Sequence, residues 1–161
     1  MFFNPELFPT LLPLKDHWMG IRNEYDLLKQ TAIKWHESIH NGKWDVVGLQ
    51  FQGHELPGID HAPVTSKLCK SISGIHTFGF SILRSGCEIT PHRGYTGEVL
   101  RAHLGLYTNP RATLSVNGES RTWQDGELLV FDDTELHSAC NHGTHDRVVL
   151  LIDFYKPVQF D

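Results

Sequence analysis

Eleven histidines in a chain of 161 residues suggest chemistry, and their surroundings sort them. Three stand where strand patterns are expected. His92 follows Pro91 and precedes an Arg93-Gly94 turn, His137 follows the acidic run Asp132-Asp133-Thr134-Glu135, and His103 lies two residues beyond Arg101. A neutral imidazole binds a divalent metal or moves a proton near neutral pH, and several lining one pocket can act together. The remaining histidines carry weaker signals. His54, His61, His142 and His145 sit in Gly- or Asp-rich loops and read as solvated. His36 and His40, four apart on an expected helix, have nothing nearby to complete a metal set. His76 opens a strand and fits a structural or a functional role.

Two arginines ask for an anion. With a period of two, Leu100, Ala102, Leu104 and Leu106 share one strand face, leaving Arg101, His103, Gly105 and Tyr107 on the other. Further on, Val148, Leu150, Ile152 and Phe154 face one way while Arg147, Val149, Leu151, Asp153 and Tyr155 face the other. Arg147 therefore begins a strand that is apolar on both sides and expected to be covered on both. A buried guanidinium is costly unless it is paired. Ion pairs with Glu98, Asp146 or Asp153 would satisfy either arginine. A carboxylate-bearing ligand would do so too, because its two oxygens match the guanidinium fork.

The elements that must hold these residues follow from the same patterning. Trp18, Ile21, Tyr25, Leu28 and Ala32 recur at three- and four-residue steps, predicting a helix capped by Asp16 and ended at Asn41-Gly42. A strand at 45–52, a loop at 53–63 and a short helix at 65–71 come next. Strands then dominate, near 75–84, 87–92, 98–107, 112–116, 119–123, 127–131, 136–140 and 146–155. Asn117-Gly118 marks a two-residue hairpin, and Thr108-Asn109-Pro110 and Gln124-Asp125-Gly126 mark further turns. This spacing predicts a mainly β protein, a jelly-roll barrel with N-terminal helices on its outer face. Residues 1–161 read as one domain, with an arm and helices over about 1–72 and the barrel over about 73–157.

Composition excludes several classes. Fourteen Lys and Arg against 19 Asp and Glu leave a net charge of −5, giving no field to draw nucleic acid or an anionic membrane. The apolar N-terminus lacks a basic segment and is broken by Pro5, Pro9 and Pro13. An arm packed over the core is expected there, not a signal peptide or spanning helix. Cys69, Cys87 and Cys140, odd in number and without CxxC spacing, read as reduced thiols of a cytoplasmic protein.

Four stretches together resemble the aspartyl/asparaginyl β-hydroxylases: Pro91-His92-Arg93-Gly94, the run from Leu100 to Leu106, the run from Phe131 to His137, and the run from Arg147 to Asp153. They stand in family order and spacing between about Ser81 and Pro157, and Trp18, Ile21, Arg22 and Glu24 extend the likeness toward the N-terminus. The resemblance implies an Fe(II)- and 2-oxoglutarate-dependent dioxygenase on a double-stranded β-helix, the jelly roll expected above. Such an enzyme hydroxylates a C–H bond with O2 and releases succinate and CO2. By the resemblance, His92 and His137 hold iron, Arg147 binds the distal carboxylate of 2-oxoglutarate, and Ser81 hydrogen-bonds the same group. His103 would sit at the cosubstrate and Arg101 near a substrate or cosubstrate carboxylate. Non-haem iron sites usually add an acid two residues after the first histidine. Here Gly94 stands there, as in the family, where water completes the shell; Asp132, Asp133 or Glu135 could supply a carboxylate instead.

The implied substrate is a free amino acid, a peptide residue or a small metabolite, an Asp- or Asn-like β-carbon being one candidate. Relatives acting on Asp or Asn place further basic residues two positions before Ser81 and two before Arg101. Here those positions are Gly79 and Val99, which weakens the case for an acidic substrate, although Arg93 or Arg84 could compensate. Two other classes fit the same residues. A non-catalytic jelly-roll module would bind 2-oxoglutarate or metal without succinate release. A zinc enzyme would use His92, His103 and His137 together, and would lose its metal on His103→Ala.

Overall fold

The structure, a computed structural model, describes residues 1–94 and 96–160. The N-terminal arm forms β1 (Phe2–Phe3), two 3-10 turns at Pro5–Leu7 and Pro9–Leu11, and α1 (Pro13–Asp16). A proline opens each of the last three, at a position whose missing amide hydrogen costs nothing. Phe2 and Phe8 are buried, so the arm packs over the core as expected.

The first long helix is shorter than its pattern suggested. α2 (Trp18–Leu28) gives way to a 3-10 turn at Lys29–Thr31 and then to β2 (Ile33–Lys34). Ile33 pairs with Val46 and Lys34 with Asp45, so sheet pairing overrides the helical periodicity. Asp16 is not the cap; it lies in α1, and His17 takes the cap position without a side-chain bond. His36 and His40 are therefore not a helical pair. The His40 ring instead bridges the Trp35 carbonyl and the Gly42 amide.

The chain continues through β3 (Trp44–Phe51), β4 (His54–Glu55), a 3-10 turn at Pro57–His61 and α3 (Pro63–Lys70). The strands that follow are β5 (Ile75–Leu83), β6 (Glu88–His92), β7 (Val99–Tyr107), β8 (Ala112–Val116) and β9 (Glu119–Thr122). β10 (Leu128–Phe131), β11 (His137–Asn141) and β12 (Arg147–Tyr155) complete the barrel. Asn117 and Gly118 both adopt positive φ, 48° and 85°, as a tight hairpin turn requires.

These strands form two sheets, a jelly roll with N-terminal helices. The larger runs β1-β10-β7-β12-β5-β3-β2, with β4 beside β3; the smaller runs β6-β11-β8-β9. β7 and β12 are covered on both faces, which creates two cores. On the outer face Leu100, Leu104, Leu150 and Ile152 pack with Ile21, Tyr25 and Leu28 of α2 and Cys69 of α3. Between the sheets Trp44, Leu83, Ile89, Leu114, Trp123 and Phe131 pack together. Each fully buried side chain of this size contributes about 1.5–3 kcal/mol. The helices thus seal the outside of the larger sheet, and its inner face carries the polar residues that strand parity singled out. Among the described residues no helix is long and apolar enough to cross a membrane.

Candidate active site

His92 and His137 are direct cross-strand partners in the β6–β11 ladder. The pairing is not regular. From Ala139↔Ile89 to His137↔His92, β11 advances two residues while β6 advances three, so β6 carries a bulge. Without it, the alternation from Ile89 would turn Pro91 inward and His92 outward. A bulge re-aims a side chain in this way, and Pro91 suits it because it has no amide hydrogen to leave unpaired. The two rings lie 4.2 Å apart between centroids, at 55°.

Their outer nitrogens fix the proton positions. His92 Nδ1 lies 2.7 Å from the Thr90 carbonyl and His137 Nδ1 2.8 Å from the Glu135 carbonyl. A carbonyl only accepts, so each Nδ1 donates its hydrogen and each Nε2 keeps a lone pair. Metal-binding histidines are commonly oriented by such outer bonds. Burial pushes His137 down to about 4, with His92 adding to the effect, so it stays neutral at neutral pH.

The opposite end of the pocket has the reverse polarity. Arg147 is 1% exposed, and its Nη2 donates to the Ser81 carbonyl at 3.1 Å and hydroxyl at 2.9 Å. Its guanidinium carbon lies 4.4 Å from the centroid of the Trp123 ring. None of Glu98, Asp146 or Asp153 pairs with it, and its Nε is buried without a partner among the described residues. Burial pulls its pKa down to about 9, which leaves it charged at neutral pH. The Ser81 hydroxyl oxygen already accepts from Trp44 Nε1 at 2.9 Å and from Arg147, so its own hydrogen is available to donate.

His103 belongs to this end. Its Nδ1 accepts from Trp123 Nε1 at 3.0 Å. An indole nitrogen only donates, so the single hydrogen of a neutral His103 is on Nε2, which is buried and without a partner among the described residues. Burial holds this imidazole well below its ordinary pKa, and Arg147 and Arg101 reinforce that. His103, Arg147 and Ser81 thus line one pocket with donors that lack an acceptor. Each unmet buried donor costs about 1–3 kcal/mol, which an anionic ligand would offset. The enclosed space is small, about 30 Å³, and partly open to solvent, with Ile89, Leu114 and Phe131 among its apolar walls.

Arg101 lines the same pocket but is engaged differently. Its Nε and Nη2 donate to the two Asp153 oxygens at 2.8 and 3.0 Å, and Nη2 lies 3.6 Å from Asp133. The ion-pair alternative thus holds for Arg101 and fails for Arg147. Arg84 is tied to Asp45 and Asp146, and Arg93 donates to the Thr134 carbonyl. Asp132 accepts from Thr134 and pairs with Lys156, and Glu135 pairs with the N-terminal ammonium. A Cβ at Gly79 would overlap the Val47 carbonyl, and Val99 is 1% exposed, so neither position brings a cation.

Gly94 has its own explanation. Its amide donates to the Asp133 carbonyl at 2.6 Å, and a Cβ there would overlap the Asp133 carboxylate. Burial raises Asp133 to about 6, against the opposing pull of Arg101, and its Oδ1 has no partner among the described residues. Among the described residues, the one group of three His, Cys, Asp or Glu donors lying within 4.8 Å of one another is Glu88, Cys140 and His142. The three-histidine zinc set is therefore not assembled, and His103 has no lone pair left to give. Neither Asp132, Asp133 nor Glu135 joins the His92–His137 pair at that distance.

The sequence reading missed Trp44 and Trp123, which hold Ser81 and His103 in place. A buried indole must find an acceptor, and that rule was available as a signal. It also missed a groove beside the pocket, lined by Trp35, Val46, Gly48, Phe51 and Gly79, with Leu151 lining both. Trp35 stacks on Trp44 at 4.3 Å and 9°.

Comparison with known proteins follows this geometry. A family model described as Aspartyl/Asparaginyl beta-hydroxylase matches residues 15–157. The chain is 31% identical over 171 residues to the ornithine lipid ester-linked acyl 2-hydroxylase of Rhizobium tropici, covering 98% of this chain and 61% of that protein. It is 36% identical over 130 residues to aspartate beta-hydroxylase domain-containing protein 2 of Homo sapiens, covering 74% and 35%. The chain spans less than two thirds of either relative. A Pseudomonas putida prolyl-4-hydroxylase shares the fold, with a TM-score of 0.59 at 16% identity over 89% of this chain and 88% of that one. The matched region carries both histidine strands and both arginines, and the chain belongs to the aspartyl/asparaginyl β-hydroxylase family.

Proposed function

We propose that this hydroxylase is Fe(II)- and 2-oxoglutarate-dependent, with His92 and His137 as metal ligands and Arg147, Ser81 and His103 receiving the cosubstrate. One observation carries this: the pocket offers two imidazole lone pairs at one end and unmet donors at the other. A divalent metal and a dicarboxylate answer both. When bound, Fe(II) and 2-oxoglutarate supply the activation of O2 and the oxidation of a C–H bond, releasing succinate and CO2.

The chain's own residues bind, orient and shield. Arg147 presents a charge-assisted fork, with Trp123 stacked on it and Ser81 fixing its angle. His103 donates from Nε2 without bringing a second positive charge. Ile89, Leu114 and Phe131 keep water from the reacting centre. Arg101 is already neutralised by Asp153 and flanked by Asp133, so we assign it a positioning role at the substrate side.

A neutral or apolar substrate portion fits better than an acidic side chain. The Arg101–Asp133–Asp153 group bears a negative balance when both acids are ionised, Gly79 and Val99 add no cation, and the adjoining groove is apolar. The R. tropici relative bears acyl hydroxylation in its name, consistent with that choice. Free thiols at Cys69, Cys87 and Cys140 suit a reducing, cytoplasmic setting.

Anaerobic addition of Fe(II) and 2-oxoglutarate should give the weak visible charge-transfer band of the chelate. Absence of that band, with no cosubstrate-dependent thermal stabilisation, overturns the proposal. A succinate-release screen across acyl chains, amino acids and peptides then ranks substrates. Binding with no succinate from any of them would favour the non-catalytic module.

A further inference from the structure

The face of the smaller sheet turned away from the pocket carries a second set of metal-binding groups. Cys140 of β11 and Glu88 of β6 are direct register partners. His142, two residues beyond Cys140, returns to the same side, its backbone fixed by donation to the Arg111 carbonyl at 3.0 Å. The sequence reading left His142 as a solvated loop residue. The structure instead brings its Nε2 to 2.5 Å from Glu88 Oε1, and the donors of Glu88, Cys140 and His142 all lie within 4.8 Å of one another. Cys140 Sγ is 3.1 Å from the Thr113 hydroxyl on the neighbouring strand β8.

We propose that Glu88, Cys140 and His142 form a peripheral site for a borderline-soft divalent cation of the Zn(II) class. One sulfur, one imidazole nitrogen and one carboxylate oxygen make a tetrahedral donor set with one position left for water. Metal–ligand distances of about 2.0–2.3 Å require these donors to close to within about 4 Å of one another. Cys140 and Glu88 stand on paired strands, and the side chains of Glu88 and His142 are both exposed, so the adjustment around Cys140 falls on those two. The Thr113 hydroxyl can donate to the sulfur and support it as thiolate. The donor types differ between the two faces of the sheet. The pocket pairs two imidazoles, whereas this site adds a thiolate, which selects Zn(II) over Fe(II). Binding here ties β6 to β11 at the end away from His92 and His137, bracing the strand pair that holds them.

Co(II) is the probe, because only a thiolate ligand gives it an intense near-ultraviolet charge-transfer band. Titrating the full chain with Co(II) should produce that band together with tetrahedral visible absorption, and Zn(II) should displace both. Cys140→Ser should remove the thiolate band, and His142→Ala, at an exposed position with little risk to folding, should weaken the binding at least about tenfold. Zn(II) should raise the melting temperature of the native chain more than that of His142→Ala, in which only the His92–His137 pair remains to bind it. Co(II) binding without a thiolate band, a band that survives Cys140→Ser, or equal Zn(II) stabilisation of the native chain and His142→Ala would overturn the site.

Discussion

The two ends of the pocket use the same residue type in opposite senses. On the smaller sheet, His92 and His137 give their Nδ1 hydrogens to backbone carbonyls and turn lone pairs inward. On the larger sheet, His103 receives a hydrogen bond at Nδ1 from Trp123 and turns a hydrogen inward. The side chain alone decides nothing. What decides is the atom placed behind the ring: a carbonyl makes a ligand for a cation, and an indole makes a donor to an anion. The arginines repeat the lesson. Arg101 faces Asp153 across the β7–β12 ladder, while Arg147 faces Leu83 on β5. One is neutralised by the fold, and the other has no counter-ion among the described residues.

The contrast can be broken most severely at its cation end. His92→Ala or His137→Ala should abolish metal retention, measured by elemental analysis, and succinate release with it. Arg147→Met attacks the anion end and should weaken 2-oxoglutarate binding by about 2–4 kcal/mol, roughly 30- to 1000-fold by calorimetry. The same change should leave the melting temperature of the ligand-free protein unchanged or higher, because it replaces a buried charge that has no counter-ion. A large loss of stability would show that Arg147 is chiefly structural.

A subtler change tests the tautomer. Trp123→Phe removes the hydrogen that holds His103 Nδ1 as an acceptor, so its proton should partly relocate from Nε2. Nitrogen NMR of the imidazole should register the shift, and cosubstrate affinity should fall about fivefold, roughly 1 kcal/mol. An unchanged nitrogen spectrum would remove Trp123 from that role.

A further effect is expected on the acid stability of the metal-free protein, where no ligand takes part. His137 is held at about 4 against an ordinary 6.5, so the unfolded chain binds more protons between those values and stability falls as pH drops through them. Asp133, raised to about 6 from 3.8, has the opposite slope: its share of stability declines as pH rises from about 4 to 6. Asp133→Asn removes the second slope. The variant should be more stable than the native chain at pH 7.5, by roughly 1–3 kcal/mol, and should lose stability more steeply on acidification. Parallel melting curves between pH 4 and 7.5 would contradict this.

Much of the frame was legible in the sequence because strand alternation is local. The strands from Ile75 onward, the Asn117-Gly118 turn and the two-faced burial of β7 and β12 all follow from neighbouring residues. What escaped depends on distant pairing. Helix α2 stops early because Ile33 finds Val46, and His92 turns inward through a bulge that β6 forms only against β11. The partners of Arg101 and Arg147 look alike in sequence and differ only once β12 is registered between β5 and β7. The His103 proton is placed by a tryptophan 20 residues away. The resemblance to a known family grouped His92, His137 and Arg147 at one site, and all three line one pocket, but it gave no account of the Arg101–Asp153 pair.

The contact between Gly94 and Asp133 has a consequence for substitution. An acid installed beside His92 would enter volume that the Asp133 carboxylate occupies, so that side chain would have to move aside. The two positions are thus coupled through one shared volume: a smaller residue at 133 should make a larger one at 94 easier to accommodate.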